Sequence, residues 1–183
     1  VETGSSFVVG AVGVDGPAGQ GAARFYDSAF AVVPSGFVGP RYDKSHLVPF
    51  GEYVPLRDLL GGFIGGLATG IAHRDVTAGP GPEAIEVWRG NGDPIRVGVP
   101  ICYELLFPDL VRRFVADGGR VLFALTNDAW YGRTGAPYQF LAMTAVRSAE
   151  TGVWTVRAAN SGVSAIIDAG GRVRKSLPIF ERG

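Results

Sequence analysis

The stretch Gly98-Val99-Pro100-Ile101-Cys102-Tyr103-Glu104 constrains this chain most, because an apolar strand beginning near Ile95 runs there into a tight turn carrying the sole cysteine. Beyond the turn, Leu106, Leu110, Val111, Phe114 and Val115 recur at helical spacing, with Pro108 near the helix start and Gly118-Gly119 closing it. Strand, sharp turn and helix is the arrangement that lifts a nucleophile out of a sheet and leaves backbone amides ready for an oxyanion. A lone cysteine also packs as a small buried hydrophobe. Tyr103 and Glu104 weigh towards chemistry, since a purely structural strand end needs no such polar neighbours.

A second strand, 121–125, ends in Thr126-Asn127-Asp128-Ala129-Trp130-Tyr131-Gly132. Leu141, Ala142, Ala145, Val146 and Ala149 then mark a helix over about 137–151. Polar residues gathered past a strand's carboxyl end are where open α/β sheets place ligands. Further strands are predicted at 7–14 and 25–33, paired as a hairpin, and at 83–88, 95–100, 153–158, 163–167 and 173–177. The expected architecture is one mixed α/β domain with helices against a sheet, in keeping with 183 residues.

Charge excludes one class of partner. Lysine plus arginine equals aspartate plus glutamate at 17 each, so nothing argues electrostatically for nucleic acid. One cysteine cannot form a disulfide within the chain, and no uncharged apolar run reaches the ~18 residues of a membrane span.

Two stretches lack a clean period. Residues 41–55 set Lys44, His46 and Glu52 among large apolar residues, two prolines and a glycine, as an ordered loop over a site does. Taken in isolation, Lys44 reads as a solvated lysine on a surface connection. Residues 59–72 carry no charge, and Leu60, Phe63, Ile64, Leu67 and Ile71 share one helical face interrupted by Gly61-Gly62 and Gly65-Gly66. Each glycine costs a helix interior ~1 kcal/mol relative to alanine, so this segment reads either as a weak core helix or as an apolar lid.

Taken together, Tyr42-x-Lys44-x-His46-Leu47-Val48-Pro49-Phe50-Gly51-Glu52, Ile101-Cys102-Tyr103-Glu104, Asn127-Asp128-Ala129-Trp130-Tyr131-Gly132 and Arg157-Ala158-Ala159-Asn160-Ser161-Gly162 resemble the carbon-nitrogen hydrolase (nitrilase) superfamily. More narrowly, they resemble its apolipoprotein N-acyltransferase branch. The resemblance implies an α-β-β-α sandwich and a glutamate, lysine and cysteine working together, with no cofactor or metal. Free thiols titrate near ~8.5, so such a nucleophile needs a partner base or a favourable field. By this likeness Cys102 is the nucleophile and Lys44 stabilises the tetrahedral intermediate. Glu52 and Glu104 are the acidic residues beside them, the Tyr103 amide reaches the oxyanion, and Trp130 and Tyr131 line the substrate site with the apolar lid.

The same likeness implies a phospholipid acyl donor, an apolipoprotein acceptor and a bacterial inner membrane setting with this domain on the periplasmic face. The family's base glutamate ends a strand lying before the one that matches 7–14, and only six residues precede Phe7 here. The expectation is therefore a fragment of a larger membrane enzyme, silent alone, with Glu2 an unsuitable substitute for the base. Asp27 follows Tyr26 where this branch often carries asparagine. Two rival readings stay open: a soluble amidase or nitrilase using the same residues, and a non-catalytic domain of the same fold.

Overall fold

A computed structural model of the chain describes residues 4–16, 23–53, 76–88 and 92–181. Glu2 and the apolar stretch with Leu60, Phe63, Ile64 and Leu67 lie outside the described residues. Two sheets form. In the first, β1 (Phe7–Asp15), β2 (Arg24–Val32) and β3 (Val38–Asp43) run antiparallel in that order. The second has the order β4 (Ile85–Trp88), β5 (Pro94–Gly98), β6 (Val121–Asn127), β7 (Trp154–Asn160), β8 (Ser164–Ile167) and β9 (Val173–Leu177). Its centre, β5 to β7, is parallel, and the flanking pairs are antiparallel.

Parallel neighbours require long crossovers, and helices supply them. Helix α1 (Pro108–Ala116) links β5 to β6, and α2 (Ala136–Thr151) links β6 to β7. Pro108 opens α1 at a position where its missing amide hydrogen costs nothing. One core joins the parts: Ala29 and Tyr42 from the first sheet meet Val97, Val99 and Leu122 from the second and Val111 and Phe114 from α1. Helix α1 lies close on β5 because residue 98 is glycine; a Cβ there would stand 2.6 Å from that of Phe114.

Three local expectations change. Residues 41–43, read as loop, are the end of β3, with Tyr42 buried. Pro40 hides the strand in the sequence, yet β3 is an edge strand, where proline is tolerated. Helix α2 buries Pro137, Phe140, Thr144 and Ser148 and not the alanine-rich face expected, because Thr144 and Ser148 find buried polar partners. A 3-10 turn, Cys102–Leu106, separates the cysteine from α1.

Candidate active site

Cys102 stands just past β5, where Ile101 bridges to Leu125 of β6 and the Leu125 amide donates to the Pro100 carbonyl at 3.3 Å. Its φ is +50°, in the left-handed region that costs a residue with a Cβ about 1–2 kcal/mol. That turn is held by Glu104, whose Oε2 accepts from the Ile101 amide at 2.8 Å. The thiol is thereby carried on a strained turn at the carboxyl end of the parallel strands and is half-buried.

The other oxygen of Glu104 reaches the lysine loop. Oε1 accepts from the Tyr42 hydroxyl at 2.7 Å and from the Ser45 and His46 amides at 2.8 and 3.1 Å. Glu104 is 0% exposed, so this one carboxylate ties the segment after β3 to the cysteine turn. Burial, followed by the adjacent Glu104 charge, pushes the Tyr42 phenol far above its ordinary range, so it keeps its proton for Glu104 while its oxygen accepts from the Ser45 amide at 3.3 Å. His46 stacks on Phe107, ring centroids 3.9 Å apart, which closes the same seam with apolar contact.

Lys44, 1% exposed, pairs with Glu52, and the other Glu52 oxygen accepts from the Val48 amide at 2.9 Å. The Lys44 amide donates to the Asp27 carbonyl at 2.8 Å, which fixes the root of the side chain on β2. The surface reading of Lys44 is therefore excluded. A buried ammonium is stable only when paired, and Glu52 is that pair.

The opposite wall is built past β6. Asn127 accepts from the Asn160 side chain at 3.0 Å, joining the ends of β6 and β7. Behind it Asp128 and Arg157 form an ion pair at 2.7 Å with both side chains 0% exposed. Thr126 donates to Asp128 at 2.7 Å, and Arg157 donates to the Val163 carbonyl and the Thr144 hydroxyl. Gly162 fits here because a Cβ would lie 2.0 Å from the Asp128 Oδ2. Burial, partly offset by Asp128, draws the Arg157 guanidinium below its usual range. Trp130 is 85% exposed at the rim, whereas Tyr131 stacks on Phe140 at 5.6 Å.

These walls enclose a cavity of about 1130 Å³ lined by Lys44, Glu52, Cys102, Asn127, Trp130 and Tyr131 among others. The apolar side comes from β1, through Val8, Val9 and Val12. The structure thus brings Lys44, Glu52 and Cys102 to one cavity. Glu104 stands behind it, and the Tyr103 ring packs edge-on against Phe107, centroids 5.2 Å apart. The sequence reading gave no site role to Asp27 and Ser28, which stand in the lining, or to Tyr42 and Ser45 around Glu104. A glutamate-to-backbone clamp leaves no spacing signal, because its partners are about 60 residues away.

Two sheets sharing one core, with a cysteine turn and a buried lysine at the parallel strand ends, define a nitrilase-like α/β fold. An amidase of the nitrilase superfamily from Nesterenkonia superposes with TM-score 0.65 at 20% identity, over 96% of this chain and 58% of that one. A carbon-nitrogen hydrolase from Helicobacter pylori gives 0.64 at 14% identity, over 93% and 57%. The family model for carbon-nitrogen hydrolases matches residues 2–183, and the chain belongs to that family. Among curated relatives, the apolipoprotein N-acyltransferase of Geobacter metallireducens is 44% identical over 86% of this chain and 29% of its own length. That of Pseudomonas syringae pv. tomato is 36% identical over 100% and 34%. The chain spans about a third of the length of the curated relatives it matches.

Proposed function

We propose that this chain is the catalytic domain of an apolipoprotein N-acyltransferase that moves a fatty acyl chain from a phospholipid to the amino-terminal cysteine of a lipoprotein. The observation that carries the reading is Cys102 on a positive-φ turn, facing a cavity that also holds the buried Lys44–Glu52 pair. The names of the sequence relatives supply N-acyl transfer and the apolipoprotein acceptor, and the phospholipid donor is what the family resemblance implies.

In this reading the Cys102 thiolate attacks the acyl ester carbonyl. The ester C–O bond breaks, a lysophospholipid leaves and a thioester remains on Cys102. Lys44 faces the developing oxyanion, with Glu52 holding the ammonium charged and oriented, and the Tyr103 amide is the second donor. The amino group of the lipid-modified cysteine then attacks the thioester, forming an amide and returning the thiol. The proton acceptor for the thiol is a glutamate outside the described residues. Trp130 at the rim and the apolar segment with Leu60, Phe63, Ile64 and Leu67 meet lipid, on the periplasmic side of a bacterial inner membrane. Among the described residues no helix is long and apolar enough to cross a membrane.

The test uses the full-length protein with a phospholipid donor and a lipid-modified apolipoprotein. Cys102→Ser abolishes transfer while leaving the fold intact. Lys44→Ala lowers kcat by about 10²- to 10³-fold with a smaller change in KM, and Lys44→Arg does not rescue it, because a planar fork cannot occupy a point-charge site. Release of ammonia from small amides by the native protein, with no transfer to the lipoprotein, would instead make it a soluble-type amidase.

A further inference from the structure

Just beyond the cavity mouth, Arg133 is a cation held against an aromatic ring. The wall past β6 runs from Asp128 to Tyr131 as a 3-10 turn, and Gly132, with φ of +55°, leads into Arg133 directly after the rim residues Trp130 and Tyr131. Arg133 is exposed, and its guanidinium carbon lies over the Phe180 ring, 4.8 Å from the centroid. Within about 6 Å the negative face of a ring attracts a cation. Phe180 comes from past β9 and is pinned to the rim, where its amide donates to the Ser161 carbonyl at 3.2 Å. Ser161 directly follows Asn160, which lines the cavity. Both pinning residues hold left-handed backbone, φ +64° at Ser161 and +63° at Phe180, a conformation unfavourable to any residue with a Cβ. That strain is spent on a ring left 45% exposed, so burying Phe180 is not what it achieves.

Among the described residues Arg133 has no acidic partner, whereas the exposed Arg96 and Arg174 each have one. Contact with the ring places the guanidinium without using its N–H donors, and that planar fork matches the oxygens of a phosphate. Trp130, 85% exposed three residues earlier, is the side chain that a boundary between water and lipid favours. We propose that Arg133, held by Phe180, is the subsite for the phosphodiester of the phospholipid donor, seated at the rim while the acyl chain enters the cavity towards Cys102. The assignment rests on the acyl-transfer reading and deepens it. It gives the site a means to tell a phospholipid from an uncharged glyceride, since only the phospholipid carries an anion for the fork.

The test compares full-length native protein with Arg133→Gln, Arg133→Lys and Phe180→Leu. Calorimetry measures binding of a short-chain phosphatidylglycerol and of the diacylglycerol with the same acyl chains. The native protein binds the phospholipid at least about 10-fold more tightly than the diacylglycerol. Arg133→Gln brings the two within about 2-fold by weakening phospholipid binding alone, and Arg133→Lys keeps only part of the preference. Phe180→Leu lowers it about 3-fold, because the cation is no longer held in place. In acyl transfer, Arg133→Gln raises KM for the phospholipid and changes kcat less than about 2-fold. An unchanged preference in Arg133→Gln, or equal weakening of both lipids, would overturn the assignment. Inorganic phosphate displacing the phospholipid more effectively than the deacylated headgroup does would make this a site for free phosphate and overturn it as well. A preference that Arg133→Gln abolishes, in a native protein that transfers no acyl group, would support the subsite and refute the acyl-transfer reading instead.

Discussion

Two buried carboxylates stand just past neighbouring parallel strands, Glu104 after β5 and Asp128 after β6, and they do different work. Glu104 spends its oxygens on the backbone amides of Ser45, His46 and Ile101 and on the Tyr42 hydroxyl. Asp128 meets side chains, Arg157 and Thr126. The first joins the two segments that carry Lys44 and Cys102, and the second braces the wall opposite. A side-chain pair can be replaced as a unit, but a clamp on backbone amides cannot, since the amides are present whatever the sequence. Glu104 is thus the element on which the site geometry depends, and the Asp128–Arg157 pair is exchangeable.

The largest expected effect comes from breaking the clamp. Glu104→Ala leaves three part-buried amides and a buried phenol without this acceptor, at about 1–3 kcal/mol each. Unfolding by denaturant should show a loss of about 5 kcal/mol, and any protein that stays folded should lose at least about 10²-fold in kcat/KM through misplacement of Lys44 against Cys102. No second substitution nearby restores it. Next comes Arg157→Ala, which strands the Asp128 charge in the interior and costs about 4 kcal/mol by the same measurement.

The double replacement Asp128→Leu with Arg157→Met sharpens the contrast. It should recover stability to within about 1 kcal/mol of the native protein, because neither charge is left buried alone. Recovery of a Glu104 variant by a compensating side chain, or failure of this double variant to recover, would break the distinction. The smallest effect is Tyr131→Phe. Burial, then the nearby Cys102 and Asp128, hold its phenol above the usual range, so it stays a neutral ring stacked on Phe140. Its loss of a hydroxyl should change stability by no more than about 0.5 kcal/mol and kcat by less than about 2-fold.

The sequence made the cysteine side of this comparison readable. A β-branched run punctuated by Gly98 and Pro100, followed by apolar residues at helical spacing, locates the turn and α1 without help from the rest of the chain. The lysine loop was legible as an ordered site loop, but not its anchorage. Tyr42 becomes a Glu104 donor only because β3 is a strand, and Pro40 masks that. On the other wall, α2 was found by its length and apolar content while its buried face was misjudged. Thr144 is buried because Arg157, from a strand later in the chain, reaches it, and Ser148 because it donates to Thr155. Local periodicity records which residues prefer to be dry, and it is blind to polar groups that find partners at long range. Asp27 shows the same limit: its residue type was visible, and its place in one cavity lining with Lys44 and Glu52 was not.

The central claim is that Cys102 forms the covalent intermediate under the charge of Lys44. The direct measurement is peptide mass spectrometry of the full-length protein after incubation with phospholipid in the absence of any acceptor. The account predicts one fatty acyl group on the Cys102 peptide, removed by hydroxylamine, absent from Cys102→Ser and accumulating at least about 10²-fold more slowly in Lys44→Ala. An acyl group on another residue, or normal acceptor acylation by Cys102→Ser, would contradict it.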